Sequence, residues 1–147
     1  MIIVVQRCSK AQVSVSNKIL GKINFGLVVF LGVFQDDTKD DANFLINKIS
    51  KMRIFNDKNN KMNLSINDVK GSLLVVSQFT LCGNIKKGHR PSFINAASPD
   101  NANKLYLYFI YELEKIGLNV ESGEFGAMMD VELTNDGPVT FVLNSRD

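Results

Sequence analysis

Apolar and polar positions alternate through Ile2–Gln6 and again through Gln12–Ser16, the period-2 signature of half-buried strands. A turn at Asn17-Lys18 leads into a third short strand, Ile19–Ile23. Leu27–Phe34 is almost unbroken apolar sequence, as a strand covered on both faces should be. The period then changes. Ala42, Leu45, Ile46, Ile49 and Met52 recur at helical spacing behind an N-cap at Asp37 or Thr38, with acidic residues in the first turn. Asn56–Asn63 is polar and turn-rich, a loop, and Gly71 introduces a second long apolar strand, Ser72–Leu81. Cys82–Phe93 has no period and carries Gly83, Gly88 and Pro91, so it reads as another loop. Ser98-Pro99 opens a second helix and Gly117 ends it, with Ala102, Leu105, Tyr106, Phe109, Leu113 and Ile116 as its buried stripe. Strand character returns at Leu118–Glu121, Ala127–Leu133 and Val139–Leu143. The order predicts one α/β domain over residues 1–147, in which curved mixed β-sheets, a roll or partial barrel, are covered by two main helices.

Composition narrows the chemistry. With 147 residues and 45% hydrophobic content, the chain can bury a continuous core without disulfides or metal. No window approaches the roughly 18 apolar residues that span a bilayer, and Met1–Arg7 is unlike a secretion signal, so a cytoplasmic protein without membrane contact is expected. Cys8 and Cys82 then read as reduced thiols. A net charge of +2 is too small to attract nucleic acid in bulk, so any RNA contact must come from local clustering. Lys86, Lys87, His89 and Arg90 supply one cluster, with a solvated loop as the plain alternative, while Asp36, Asp37, Asp40 and Asp41 concentrate acid elsewhere. His89 is the only histidine, which excludes His-rich metal sites and paired catalytic imidazoles. No glycine-rich phosphate loop is present, which argues against a nucleotide cofactor, and neither a cofactor nor a metal is expected.

Two segments break the rule of their surroundings. Ser77-Gln78-Phe79-Thr80-Leu81 puts polar residues at the end of a strand that has just read Leu73-Leu74-Val75-Val76. Strand ends that open into loops leave backbone N–H groups free for a ligand, although an ordinary strand edge has the same pattern. Asn135-Asp136-Gly137-Pro138-Val139-Thr140 carries a hairpin signal, but Pro138 cannot donate a ladder hydrogen bond, so a plain tight turn does not fit well.

Taken together, and in this order along the whole chain, these segments resemble the D-aminoacyl-tRNA deacylase family of the bacterial and eukaryotic type. Ile3-Val4-Val5-Gln6-Arg7 is similar to the family's opening strand, and Arg53-Ile54-Phe55 with Lys61-Met62-Asn63-Leu64-Ser65 to its middle. Ser77–Leu81 is similar to its first signature. Gly88-His89-Arg90-Pro91-Ser92-Phe93, Phe125-Gly126-Ala127-Met128-Met129 and Asn135–Thr140 supply the rest. The chain departs from the family pattern at His89, where a second basic residue is commoner, and at Cys82-Gly83-Asn84, where an aromatic and an acid are.

The resemblance implies hydrolysis of the ester joining a D-amino acid to the 3′ end of tRNA, with glycyl-tRNA mischarged on tRNA(Ala) as a further substrate. It implies a homodimer with shared active sites. Ser77, Gln78, Phe79 and Thr80 would line the catalytic pocket, and Gly137 and Pro138, joined by a cis peptide bond, would reach into the partner's site to reject an L-amino acid. Arg7 would prop that pair, Ala102, Phe125 and Met129 would hold the terminal adenosine, and Lys86, Lys87 and Arg90 would contact the tRNA. An aminoacyl ester is already activated, so backbone N–H donors around Gln78–Thr80 suffice as the catalytic element, one such donor being worth about 10²–10³ in rate. Thr80 or Ser77 as a covalent nucleophile is the alternative, as are, at the level of function, a silent tRNA-binding dimer and a general esterase.

Overall fold

Residues Ile2–Val15 form one strand, β1, where the alternation suggested two, and its length organises the molecule. The computed structural model describes residues 1–147. Along β1 the buried positions run Ile3, Val5 and Arg7, then change phase to Cys8, Ala11 and Val13. Irregularities in its pairing between Gln6 and Lys10 produce the change, and a residue-count offset of one moves side chains to the other face. Ile3 and Val5 therefore enter one hydrophobic core, and Cys8, Ala11 and Val13 enter another.

β1 pairs antiparallel with β2 (Lys18–Ile23) through its second half and with β3 (Gly26–Gly32) through its first. The sheet continues through parallel pairs to β6 (Ser72–Ser77) and β7 (Asn119–Ser122), giving the order β2-β1-β3-β6-β7. It curls until its ends meet. A Cβ on Gly21 of β2 would lie 2.8 Å from the Ser122 carbonyl of β7, so only glycine permits that approach and the partial barrel it closes. β3 and β6 bury both faces, as their unbroken apolar sequence requires: Leu27, Val29, Leu31, Leu73 and Val75 face the larger core, and Val28, Leu74 and Val76 the smaller.

The larger core is covered by α1 (Lys39–Lys51) and α2 (Pro99–Lys115). Thr38 caps α1, accepting from the Asp40 N–H while Asp41 accepts from the Thr38 N–H, a reciprocal capping box. Ser98 precedes Pro99 at the start of α2 but makes no side-chain cap bond. Part of the acidic run is consumed locally. The Met1 ammonium sits 2.6 Å from Asp37 with both side chains buried, and Arg146 reaches Asp37 and Asp41. The polar stretch read as a loop holds a small antiparallel pair, β4 (Phe55–Asn56) with β5 (Met62–Leu64), turned by Asp57, whose carboxylate accepts from Asn59, Lys61 and Asn63.

The C-terminal segment departs most from expectation. In place of two strands joined by a turn, Asp130–Asn144 is one strand, β8, antiparallel to β1 over almost its whole length. Asp136–Val139 is a bulge opposite Arg7, since Cys8 pairs with Asn135 and Gln6 with Thr140. Local turn chemistry was real but yielded to the long pairing with β1, and Pro138 sits where a strand tolerates a missing donor. β8 bonds to β1 alone, so its other edge is unpaired, with Val142 exposed along it.

Candidate active site

β6 ends at Ser77, four residues before the apolar run does. The Gln78 N–H donates to Leu31 of β3 at 2.8 Å, and the chain then winds into a 3₁₀ turn, Phe79–Cys82. Leu81 and Gly83 donate back to Gln78 and Thr80, which fixes the turn. The N–H groups of Phe79 and Thr80 open it, where a helical turn provides no carbonyl to accept from them. Gln78 Nε2 donates to Thr80 Oγ1 at 2.5 Å, engaging the threonine hydroxyl with an amide instead of a base. Phe79 is 61% exposed and stands edge-on to Phe93, ring centres 4.9 Å apart.

This turn forms one wall of a cavity of about 620 Å³. Leu31 of β3 and Val33 just beyond it contribute to the lining; Ala96 and Ala97 come from the segment before α2, and Pro99, Ala102 and Tyr106 from its first turns; Phe125–Met129 and Val131 complete it. Small side chains at Ala96, Ala97 and Ala102 leave the space, and Tyr106 and Phe125 give it an aromatic flank with ring centres 5.7 Å apart. No carboxylate, amine, imidazole or thiol lines it. Tyr106 is the one ionisable neighbour, but its hydroxyl donates to the Val75 carbonyl at 3.0 Å, and burial pushes the phenol up to about 12. The site can seat a flat apolar or aromatic group and offer N–H donors to a developing negative oxygen; it holds no residue for proton transfer at neutral pH.

The residues expected to act together fall into three groups. Ser77, Gln78, Phe79, Thr80, Ala102, Phe125 and Met129 meet in the cavity. Arg7, Gly137 and Pro138 do not line it; they form a second centre at the β8 bulge. There Arg7 is 5% exposed, its Nε donating to the Asp136 carbonyl at 3.1 Å and its Nη1 to Ile54 O at 2.8 Å and Asn56 Oδ1 at 3.3 Å. Gly137, at φ +129°, has its missing Cβ position 2.9 Å from Arg7 Nη2, so both the backbone and the space require glycine. The Gly137–Pro138 peptide is cis, and both residues are exposed. The third group, Lys86, Lys87 and Arg90, lies on an exposed excursion closed by the paired backbones of Asn84 and Ser92. Its base adjoins the cavity wall through Phe93, which packs on Gly83 and Phe79.

Sequence reasoning did not single out Ala96, Ala97, Tyr106 or Met128 as site residues. Tyr106 was hidden as one more member of an apolar stripe; a usable signal was the run of small residues just before the helix start. Met128, 92% exposed between two residues that line the cavity, stood inside the Phe125–Met129 segment that carries the resemblance, in which only Phe125 and Met129 were given a role. Cys8 and Cys82 are free and buried, and burial pushes each thiol up to about 11, so neither offers a thiolate nucleophile.

Known proteins match this architecture closely. The family model described as D-Tyr-tRNA(Tyr) deacylase matches residues 4–144. A D-aminoacyl-tRNA deacylase of Bacillus cytotoxicus is 53% identical, covering 99% of this chain and 100% of its own. Those of Thermosipho melanesiensis and Fusobacterium nucleatum are each 54% identical, covering 97% and 98% of this chain and 96% and 95% of their own. Among solved structures, the c-Myc DNA unwinding element binding protein superposes with a TM-score of 0.92 at 36% identity, covering 98% of both chains. A probable eukaryotic D-amino acid tRNA deacylase shares the fold, with a TM-score of 0.81 at 16% identity over 97% of this chain and 98% of its own.

Proposed function

The chain belongs to the D-Tyr-tRNA(Tyr) deacylase family, and on that premise we propose how its residues divide the work. It hydrolyses the ester bond of D-aminoacyl-tRNA, releasing a free D-amino acid and tRNA. The observation that carries the residue-level reading is a cavity with backbone donors at one wall and no ionisable group suited to acid–base work. The adenosine of the tRNA 3′ end lies against Ala102, Phe125 and Met129, and the ester carbonyl faces the N–H groups of Phe79 and Thr80. Water adds to the carbonyl carbon and the carbonyl oxygen becomes an oxyanion held by those donors. The bond to the 3′ oxygen then breaks, and that oxygen leaves with the proton the water gives up. The neighbouring 2′-hydroxyl of the substrate orients the water, which makes the RNA part of the catalyst.

The protein works as a homodimer of one-domain chains with shared sites, in the cytoplasm where its tRNA substrate is. Three observations support the dimer: β8 has a free edge along its length, Val142 is exposed on it, and Gly137 and Pro138 are exposed without lining their own chain's cavity. From the partner, Gly137 and Pro138 occupy the space an L side chain would need, so chirality is enforced by exclusion. Lys86, Lys87 and Arg90 contact phosphates near the acceptor end. Glycine has nothing to exclude, so glycyl-tRNA, including that mischarged on tRNA(Ala), is also a substrate.

The test is release of amino acid from paired D- and L-tyrosyl-tRNA, with a small amino-acid ester alongside. Hydrolysis confined to the D-tyrosyl-tRNA is the expected result. Binding of both tRNAs without release would show a silent tRNA-binding protein, and turnover of the small ester a general esterase.

A further inference from the structure

Arg7 holds only one side of the β8 bulge. Between the pairs Cys8–Asn135 and Gln6–Thr140, the residues Asp136–Val139 have no ladder partner on β1 except what side chains supply. Arg7 takes the Asp136 end, through the Asp136 carbonyl at 3.1 Å and the Asp136 carboxylate at 3.3 Å. The Val139 end is bonded differently. Its N–H donates to Asn135 Oδ1 at 3.1 Å, and Asn135 Nδ2 donates to Thr140 Oγ1 at 3.1 Å. Thr140 Oγ1 also accepts from Gln6 Nε2 at 3.1 Å, which ties the amide back to β1. The Asn135 carboxamide thus spans the bulge from the residue before it to the two residues after Pro138, and it supplies the acceptor that the interrupted ladder withholds from Val139. Only a side chain that has both an acceptor and a donor, at this length, closes both bonds at once.

We propose that Asn135 is a positioning residue for chiral rejection, its amide holding the Gly137–Pro138 backbone at the distance from the partner's cavity at which an L side chain collides. The inference rests on the reading of Gly137 and Pro138 as that filter. A filter that works by collision depends on rigidity, because a backbone that yields by a few tenths of an ångström admits what it should exclude. Catalysis on a D substrate asks less of the bulge, since its side chain points away from it. Loosening Asn135 therefore changes the ratio of the two reactions.

The experiment measures deacylation of L-alanyl- and D-alanyl-tRNA by the full-length protein, with the variants Asn135→Ala, Asn135→Asp and Pro138→Ala. Loss of both amide bonds in Asn135→Ala raises the L-to-D rate ratio by about tenfold, the size expected for one to two ordering hydrogen bonds. Asn135→Asp keeps the acceptor for the Val139 N–H, and its ratio returns to within about threefold of the parent. An Asn135→Ala protein in which both rates fall together at an unchanged ratio overturns the proposal, because that is what a merely structural residue does. So does an Asn135→Asp ratio as relaxed as that of Asn135→Ala. If Pro138→Ala relaxes the ratio and Asn135→Ala does not, this inference alone is wrong; if neither does, the filter reading fails with it. Should Asn135→Ala not fold, Thr140→Val leaves Asn135 in place and removes the hydroxyl that anchors it. A ratio raised by about threefold is expected there, and an unchanged one overturns the proposal.

Discussion

The end of β6 and the bulge of β8 are both places where a strand gives up its ladder, and they do so in opposite ways. At Ser77–Thr80 the chain leaves the sheet into a short turn with an exposed phenylalanine, and residues with spare N–H groups line an apolar cavity. At Asp136–Val139 the chain stays in the strand, and Arg7 and Asn135 bond the interrupted backbone from both ends. One break leaves donors free for a ligand, and the other leaves little of its backbone free to move. A site that must stabilise a transient charge needs the first kind, and a site that must refuse a shape needs the second.

The largest expected effect tests the refusing region. If the exclusion rests on a collision and not on a pocket that grips, glycyl-tRNA should be hydrolysed alongside D-alanyl-tRNA while L-alanyl-tRNA is spared. One methyl group held in a pocket is worth at most about 200-fold, so a glycyl to L-alanyl contrast above that points to rigid rejection. A glycyl-tRNA as resistant as L-alanyl-tRNA would instead show that the site holds a D side chain.

Arg7→Leu goes to the support of the same region. It leaves the buried carbonyl of Ile54 and the bulge carbonyl of Asp136 without donors, and a urea melt should show a loss of about 3 kcal/mol. A loss below about 1 kcal/mol would mean that the bulge holds its shape without the guanidinium.

On the catalytic side, neutralising Lys86, Lys87 and Arg90 should weaken tRNA binding and flatten its dependence on salt by about one log–log unit for each phosphate no longer held. An unchanged slope returns that excursion to a solvated loop. Thr80→Ala and Ser77→Ala should each cost less than about 10²-fold in kcat, since the donors at this turn are backbone groups. A loss beyond about 10⁴-fold with binding intact would make one of those hydroxyls a nucleophile.

The smallest effect separates fold from site by pH. Burial raises Cys8 and Cys82 from 9.0 to about 11 and Tyr106 from 10.0 to about 12, so the folded chain keeps protons that the unfolded chain gives up. Stability from these groups is complete below their unfolded values and is lost as pH climbs through the folded ones, which denaturant melts at pH 8 and pH 10 should register as a decline. The Tyr106→Phe variant should show the same pH profile of turnover between pH 6 and 9 as the parent, because the phenol stays neutral throughout. An inflection that disappears in the variant would show it to be a participant.

Much of the cavity was legible because its parts carry local signatures. Leu27–Phe34 and Leu73–Val76 are apolar on both faces and became the buried strands beneath it, while Ser98-Pro99 and Gly117 bracketed the helix beside it. The bulge was not legible from residues alone. Asn135-Asp136-Gly137-Pro138 has the composition of a turn, and what keeps it in a strand is pairing with residues more than a hundred positions away. Phe79-Thr80-Leu81 likewise has strand propensity, but the Leu31 carbonyl accepts from Gln78 and the chain turns immediately after. In both places a long-range partner outranked the local preference.

The change of face along β1 also bears on how this protein can evolve. Ile3 and Val5 serve one core and Ala11 and Val13 another, and the few residues between them convert one phase to the other. Point substitutions at those positions alter one core at a time. An inserted or deleted residue in that stretch shifts every side chain on one side of it to the wrong face, and with it the pairing that sets the bulge opposite Arg7. Length is therefore free to drift in the excursion between Asn84 and Ser92 and in the turn at Asp57, while β1 and β8 can change only letter by letter.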